Sequence, residues 1–265
     1  MLTVSELYIY PVKSLGGISI ASAALTDRGF EHDRRWMLVD ENNRCLTQRE
    51  LPRMALLQTE LTRQGLTIRH KHHDHPSLPI PFGDMGEPCT VTVFEDVCSA
   101  RWVNGRADEW FSQMLSFPCR LVYMPDSSRR LVDDRFAHGQ EVTSFSDAFP
   151  LLVIGQASLD DLNKRLPAPL PMDRFRPNIV FTGGKPYQED SMEHFRISGI
   201  SFFGVKLCAR CVITTTDQFT AEKGKEPLQT LNGYRKRENK ILFGQNLLYK
   251  GKGSISVNDE LLLSP

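Results

Sequence analysis

Leu207-Cys208-Ala209-Arg210-Cys211-Val212-Ile213-Thr214-Thr215-Thr216-Asp217 is the stretch on which the reading of this chain turns. Two cysteines, each a candidate soft thiolate, stand directly before a run of β-branched residues. A redox Cys-x-x-Cys pair needs its first cysteine at a helix N-terminus, where backbone amides lower the thiol pKa. The run 212–216 predicts a strand instead. Side chains on a strand alternate between its faces, so Cys208 and Cys211 converge only if a turn before the strand brings them together. The segment therefore predicts one reactive cysteine at a strand start. That residue is Cys211, and Cys208 reads as a small apolar side chain.

Outward from this segment the chain reads as short strands. Alternation begins near Thr3 and ends at Pro11. Further strands are expected at 18–25, 36–39, 54–61, 66–69 and 91–94, then at 178–182, 195–198, 201–207, 241–248 and 254–263. Trp110, Phe111, Met114 and Leu115 fall at helical spacing and predict a helix over 107–115, broken by Pro118. Ser158-Leu159-Asp160-Asp161 has the form of a capping box and predicts a short helix to Arg165. Residues 126–140 are polar and read as a mobile linker. Many short strands parted by Gly and Asp turns predict a mainly β chain, built as β-barrels with a few short helices.

The 265 residues carry 32 Lys+Arg against 32 Asp+Glu, for a formal net charge of zero. That balance argues against duplex nucleic acid or an anionic membrane as a bulk electrostatic partner, while a local arginine cluster can still hold one small anion. No basic leader with an apolar core opens the sequence, and no apolar run reaches the roughly 18 residues of a membrane span. The six cysteines are scattered, as expected of free thiols in a reducing cytoplasm. His70-Lys71-His72-His73-Asp74-His75 invites a metal reading, but sequence places no cysteine or acidic partner beside it, and it reads as a solvated loop.

Several short stretches occur together and in order: Pro11-Val12-Lys13-Ser14, Asp33-Arg34-Arg35-Trp36, Thr47-Gln48-Arg49, Ser146-Asp147, Arg174-Phe175-Arg176-Pro177-Asn178, the cysteine segment, and Phe243-Gly244-Gln245-Asn246. This set resembles the MOSC proteins (molybdenum cofactor sulfurase C-terminal domain). Within them it is most similar to the branch containing the mitochondrial amidoxime-reducing component and its bacterial relatives. The resemblance spans Leu2 to Leu263. It implies an N-terminal MOSC β-barrel domain over 1–124 and a MOSC β-barrel domain over 125–265, with a molybdenum cofactor (Mo-molybdopterin) at their junction. Cys211 is implied as the protein ligand to molybdenum. Lys13, Ser14 and Arg34 are implied at the cofactor's phosphate end, Arg176 and Asn178 as further contacts, and Ser146, Asp147 and Arg210 beside them. A pyridoxal-phosphate-binding label and a part in detoxification also travel with the resemblance.

The chemistry of the residues accords with that set. Arginine binds phosphate through paired hydrogen bonds that lysine cannot copy. Ser14, Ser146, Asp147 and Asn178 offer the donors and acceptors a pterin requires, and a thiolate suits a polarisable metal. The implied activity is molybdenum-dependent reduction of N-hydroxylated compounds such as amidoximes and hydroxylamines. No cysteine cluster follows the second module, so electrons are expected from a separate protein: a ferredoxin, a flavin reductase or a cytochrome b5-like partner. The competing reading is a non-catalytic carrier of molybdenum cofactor or sulfur, which needs the same cofactor residues.

Overall fold

Runs of β-branched and aromatic residues with one buried face close into a seven-stranded barrel. The computed structural model describes residues 1–83 and 85–264. Around the barrel the order is Leu151–Gly155, Ile179–Thr182, Leu2–Ile9, Glu260–Leu263, His194–Ile197, Ile200–Ala209 and Lys240–Lys250, which pairs back with Leu151–Gly155. Every pairing is antiparallel except that of Leu151–Gly155 with Ile179–Thr182, which the helix Gln156–Asn163 separates in sequence. Val4, Leu7, Ile9, Val153, Phe181, Phe195, Phe202 and Leu247 are buried in one barrel core. Leu2–Ile9, drawn from the first module, is thus hydrogen-bonded into the same barrel as strands of the second.

The remainder of the first half makes a second core. A four-stranded sheet runs Trp36–Val39, Arg120–Tyr123, Asp96–Trp102 and Pro88–Val93, and a three-stranded sheet runs Leu57–Leu61, Gly65–His70 and Leu78–Pro81. Both pack on the helix Gly105–Leu115, which contributes Ala107, Phe111 and Leu115. The Asn104 side chain caps this helix by accepting the Ala107 N–H at 2.8 Å.

Several expectations need correction. Residues 212–215 form a 3-10 turn, Val212–Thr215, not a strand. The Thr214 and Thr215 hydroxyls donate to the Cys211 and Val212 carbonyls, local bonds that compete with a ladder. Pro52–Leu56 is likewise a 3-10 turn, so the strand expected at 54–61 starts only at Leu57. Ser158 is no cap. The helix starts at Gln156, and the buried Ser158 hydroxyl donates to Glu189 while accepting the Tyr187 N–H.

Residues 126–140 are tied down rather than free. Buried Arg28 donates to the carbonyls of Pro125, Asp126 and Ser128. Buried Arg130 donates to those of Ser144, Ser146 and Asp147. Leu78–Pro81, Asp96–Trp102, Arg120–Tyr123 and Leu151–Gly155 are strands that periodicity did not signal. The first is an edge strand carrying prolines, and the last is buried along its whole length, which erases alternation. Among the described residues no helix is long and apolar enough to cross a membrane.

Glu189 is fully buried beside Gly155, and burial pushes its carboxyl up to about 7 despite bonds from Ser158 and the Gly155 backbone. Between the unfolded and folded pKa values the native state holds the extra proton, so stability must fall as pH rises through that window. Thermal denaturation from about pH 5 to about pH 8 should show this loss, and Glu189→Gln should flatten it. An unchanged slope in the variant would remove Glu189 as its source.

Candidate functional site

Lys13, Ser14, Arg34, Ser146, Asp147, Arg176, Asn178, Arg210 and Cys211 all line one cleft, although they come from five separate stretches of the chain. The barrel delivers Arg176, Asn178, Arg210 and Cys211 at strand ends. The first half delivers Lys13, Ser14 and Arg34 just beyond Leu2–Ile9 and just before Trp36–Val39.

The turns that do this are unusual. Ser14, Arg34 and Arg176 adopt φ of 67°, 49° and 54°, the left-handed region. Each such residue costs on the order of 1 kcal/mol. The surroundings hold them there: Arg34 and Arg176 through their side chains, and Ser14 through its carbonyl, which accepts from Gln48.

Tyr10 provides much of that determination. The Arg34 and Arg176 guanidinium carbons lie 4.3 Å and 4.2 Å from its ring centroid, and its hydroxyl donates to the Pro177 carbonyl at 2.9 Å. Arg34 also donates to Asp33 at 2.6 Å, to the Asn178 side-chain oxygen at 3.2 Å and to the Arg176 carbonyl at 3.3 Å. Arg176 donates to the Leu15 carbonyl at 2.8 Å, leaving donors unused. Burial, with repulsion from Arg34 added, lowers the Arg176 pKa to about 10. Asn178 spends its amide on scaffolding: its oxygen also accepts the Leu152 N–H, and its nitrogen donates to the Tyr8 carbonyl. It therefore orients Arg34 and ties two strands together.

Lys13 is only 3% exposed, so the solvated lysine that its residue type alone would favour is not what forms. Its ammonium donates to the Phe145 carbonyl at 2.8 Å and to Asp147 at 2.7 Å. Lys13 holds the Asp147 carboxyl well below the usual carboxylate range, with Arg34 and Arg49 adding to the effect. The Asp147 side chain is itself 68% exposed, so a carboxylate oxygen faces the cleft. Ser146 pairs its hydroxyl with that of Thr143, and Arg130 grips the Ser146 carbonyl at 2.6 Å.

Cys211 is half-buried at the start of the 3-10 turn, so its sulfur is not sealed in the core. Cys208 is also half-buried: it packs against the core around Phe175 and Phe243, as expected of a small apolar side chain, and it borders the same cleft. The strand Ile200–Ala209 ends between the two cysteines, so strand alternation does not govern their relation. Arg210 donates to the Cys208 sulfur at 3.0 Å and to the Phe175 carbonyl at 2.5 Å.

Two residues of Thr47-Gln48-Arg49 have parts that their sequence gives no sign of. Fully buried Gln48 donates to the Ser14 carbonyl at 2.7 Å and pairs its amide with that of Gln218, locking the first half onto the loop beyond Cys211. Arg49 lies near Cys211. Burial works against its charge, but the Cys211 sulfur and Asp147 outweigh that and raise its pKa. Its Nε is buried without a hydrogen-bond partner.

The histidine run forms a turn. The His70 ring nitrogen accepts the backbone N–H groups of His72 and His73 at 3.1 Å and 3.2 Å, and His72 packs against Phe219. Among the described residues no group of three His, Cys, Asp or Glu side chains is arranged to hold a metal ion by itself.

Residues 1–118 match the MOSC N-terminal beta barrel domain, and residues 140–262 match the MOSC domain. The chain is 33% identical over 285 residues to mitochondrial amidoxime-reducing component 1 of Mus musculus, covering 98% of this chain and 82% of that protein. The Homo sapiens protein of the same name is 33% identical over 281 residues, with the same coverage. A molybdenum cofactor sulfurase of Oryza sativa subsp. japonica is 34% identical over 269 residues, covering 92% of this chain but 32% of that longer protein. The chain belongs to the MOSC-domain proteins that carry the N-terminal MOSC β-barrel, the family that includes the mitochondrial amidoxime-reducing components.

Proposed function

We propose that this chain binds a molybdenum–pterin cofactor in the cleft and uses it to reduce N-hydroxylated compounds, drawing electrons from a separate redox protein. One observation carries the reading: the half-buried sulfur of Cys211 shares a cleft with Lys13, Arg34, Arg176 and Arg210. We read 1–124 and 125–265 as the two modules that meet there and the cytoplasm as the setting.

The donor set fits such a group. Among the described residues the buried Arg49 Nε has no hydrogen-bond partner, and Arg176 spends one guanidinium nitrogen on the Leu15 carbonyl, so both have donors to offer an anion. Among the described residues no cluster of three or more His, Cys, Asp or Glu side chains could hold a metal by itself, which suits a metal that would arrive already held by its own dithiolene. Lys13, Arg34 and Arg176 would neutralise a terminal phosphate. Asp147, kept ionised by Lys13, accepts hydrogen bonds from the amino and ring N–H groups of a pterin. Ser14 and Ser146 add hydroxyls that either donate or accept. Cys211 would ligate the metal as a thiolate.

Once bound, the cofactor supplies the two-electron chemistry for cleaving an N–O bond. The protein's part is to fix that group, to hold Cys211 as a ligand, and to leave the cleft open to substrate. Asp147 does not donate the protons that water formation requires, because its carboxyl stays ionised.

Molybdenum-loaded protein given an artificial electron donor should reduce benzamidoxime to benzamidine, and Cys211→Ala should lower the rate by at least about 100-fold. Wild-type turnover no faster than that variant would overturn the reductase reading. The likeness to a molybdenum cofactor sulfurase keeps the carrier reading in play. Rapid delivery of cofactor to an apo-molybdoenzyme, without substrate turnover, would establish it instead. Arg176→Gln should reduce molybdenum per protein about tenfold, since charge-assisted bonds are worth roughly 1.5–3 kcal/mol. Undiminished metal content would exclude Arg176 from the anion site.

A further inference from the structure

We propose that Phe94, at the tip of a hairpin in the first half of the chain, forms the substrate-facing rim of the cleft and selects aryl over alkyl N-hydroxylated substrates. The chemical class rests on the function proposed above; the placement rests on contacts of its own.

Phe94 and Glu95 form the two-residue turn between Pro88–Val93 and Asp96–Trp102, with Val93 paired to Asp96. Such turns favour Asn or Gly at left-handed positions. Here a phenylalanine stands at φ 57°, a conformation that disfavours bulky side chains. Its ring is nonetheless 39% exposed, so burial does not explain the choice.

One of the two cations beside the ring lines the cleft. The Lys13 ammonium lies 4.8 Å from its centroid and the Arg49 guanidinium 5.1 Å. Lys13 lines the cleft and donates to Asp147 at 2.7 Å. The hairpin is also anchored. Asp96, directly after the turn, accepts from Arg130 Nε at 2.8 Å, and Arg130 holds the Ser144, Ser146 and Asp147 carbonyls. Arg130 therefore ties the hairpin tip to the Ser146–Asp147 wall.

A strained, exposed aromatic ring is thus fixed by two cations at the edge of a polar cleft. A substrate with an N–OH head and a flat apolar body matches that arrangement, head inward and body stacked on the ring. Stacking of this kind is worth about 0.5–1.5 kcal/mol, a factor of roughly 2 to 12 in affinity.

Phe94→Gly and Phe94→Trp test this in the molybdenum-loaded protein. Glycine relieves the left-handed backbone, so Phe94→Gly should fold with an unchanged or higher Tm. In it, the kcat/KM preference for benzamidoxime over acetamidoxime should fall about tenfold, chiefly through KM, and Phe94→Trp should keep the preference. Calorimetric titration with benzamidine, without reductant, should show an approximately tenfold weaker Kd in Phe94→Gly. Preference and benzamidine affinity both within about twofold of wild type would overturn the role of Phe94, while leaving amidoxime turnover, and the function, intact. Phe94-dependent benzamidine binding in a protein that reduces neither amidoxime would refute the reductase reading but keep the rim. Wild-type protein that neither turns over amidoximes nor binds benzamidine would overturn both.

Discussion

Confinement of like charge is the constraint around which this molecule is organised. Lys13, Arg34, Arg176 and Arg210 line one cleft together with a single carboxylate, Asp147, in a chain whose overall formal charge is zero. Burying cations is unfavourable unless they are paired or hydrogen-bonded. The fold offsets the cost with Asp33 under Arg34, the Tyr10 ring beside both Arg34 and Arg176, and carbonyls of Phe145, Leu15 and Phe175. These contacts hold the cations in place without neutralising them all. The remaining positive potential is what a bound anion would relieve.

The same constraint explains why two β-rich halves are needed. Two barrel strand ends present Arg176 and Cys211, but Lys13 and Arg34 reach them only because Leu2–Ile9 is itself a barrel strand and the chain then leaves it through left-handed turns at Ser14 and Arg34. Gln48 fastens that exit from behind, bonded to the Ser14 carbonyl on one side and to Gln218 on the other. Strain stored in these turns is tolerated where the surroundings leave no alternative. The left-handed backbone of Phe94 belongs to the same pattern, since it too is clamped by Lys13 and Arg49.

Much of the fold could be read from the chain. Trp36–Val39 matches its expected limits because turn residues bound a short apolar run, and the helix ending at Leu115 follows from the spacing of its aromatic residues. The uniformly buried Leu151–Gly155 left no alternation to detect. Val212–Thr215 went the other way, because threonine hydroxyls bonded to nearby carbonyls outweighed β propensity. The cleft residues were legible as motifs but not one at a time. Lys13 alone gave no sign that it would be buried, and Asn178 gave none that it would also orient Arg34. Arg49 was in plain view within Thr47-Gln48-Arg49, yet only the folded chain brings it to Cys211. Phe94 reads in sequence as the end of a strand over 91–94, whereas the strand stops at Val93 and Phe94 stands at the hairpin tip.

The central claim is that the Cys211 sulfur meets a metal carried into a cationic cleft. X-ray absorption at the molybdenum edge, on protein from a host able to make the cofactor, tests it most directly. The account predicts bound molybdenum with a sulfur neighbour that disappears in Cys211→Ser. Molybdenum with an identical sulfur shell in both proteins, or none in the wild type, would contradict it.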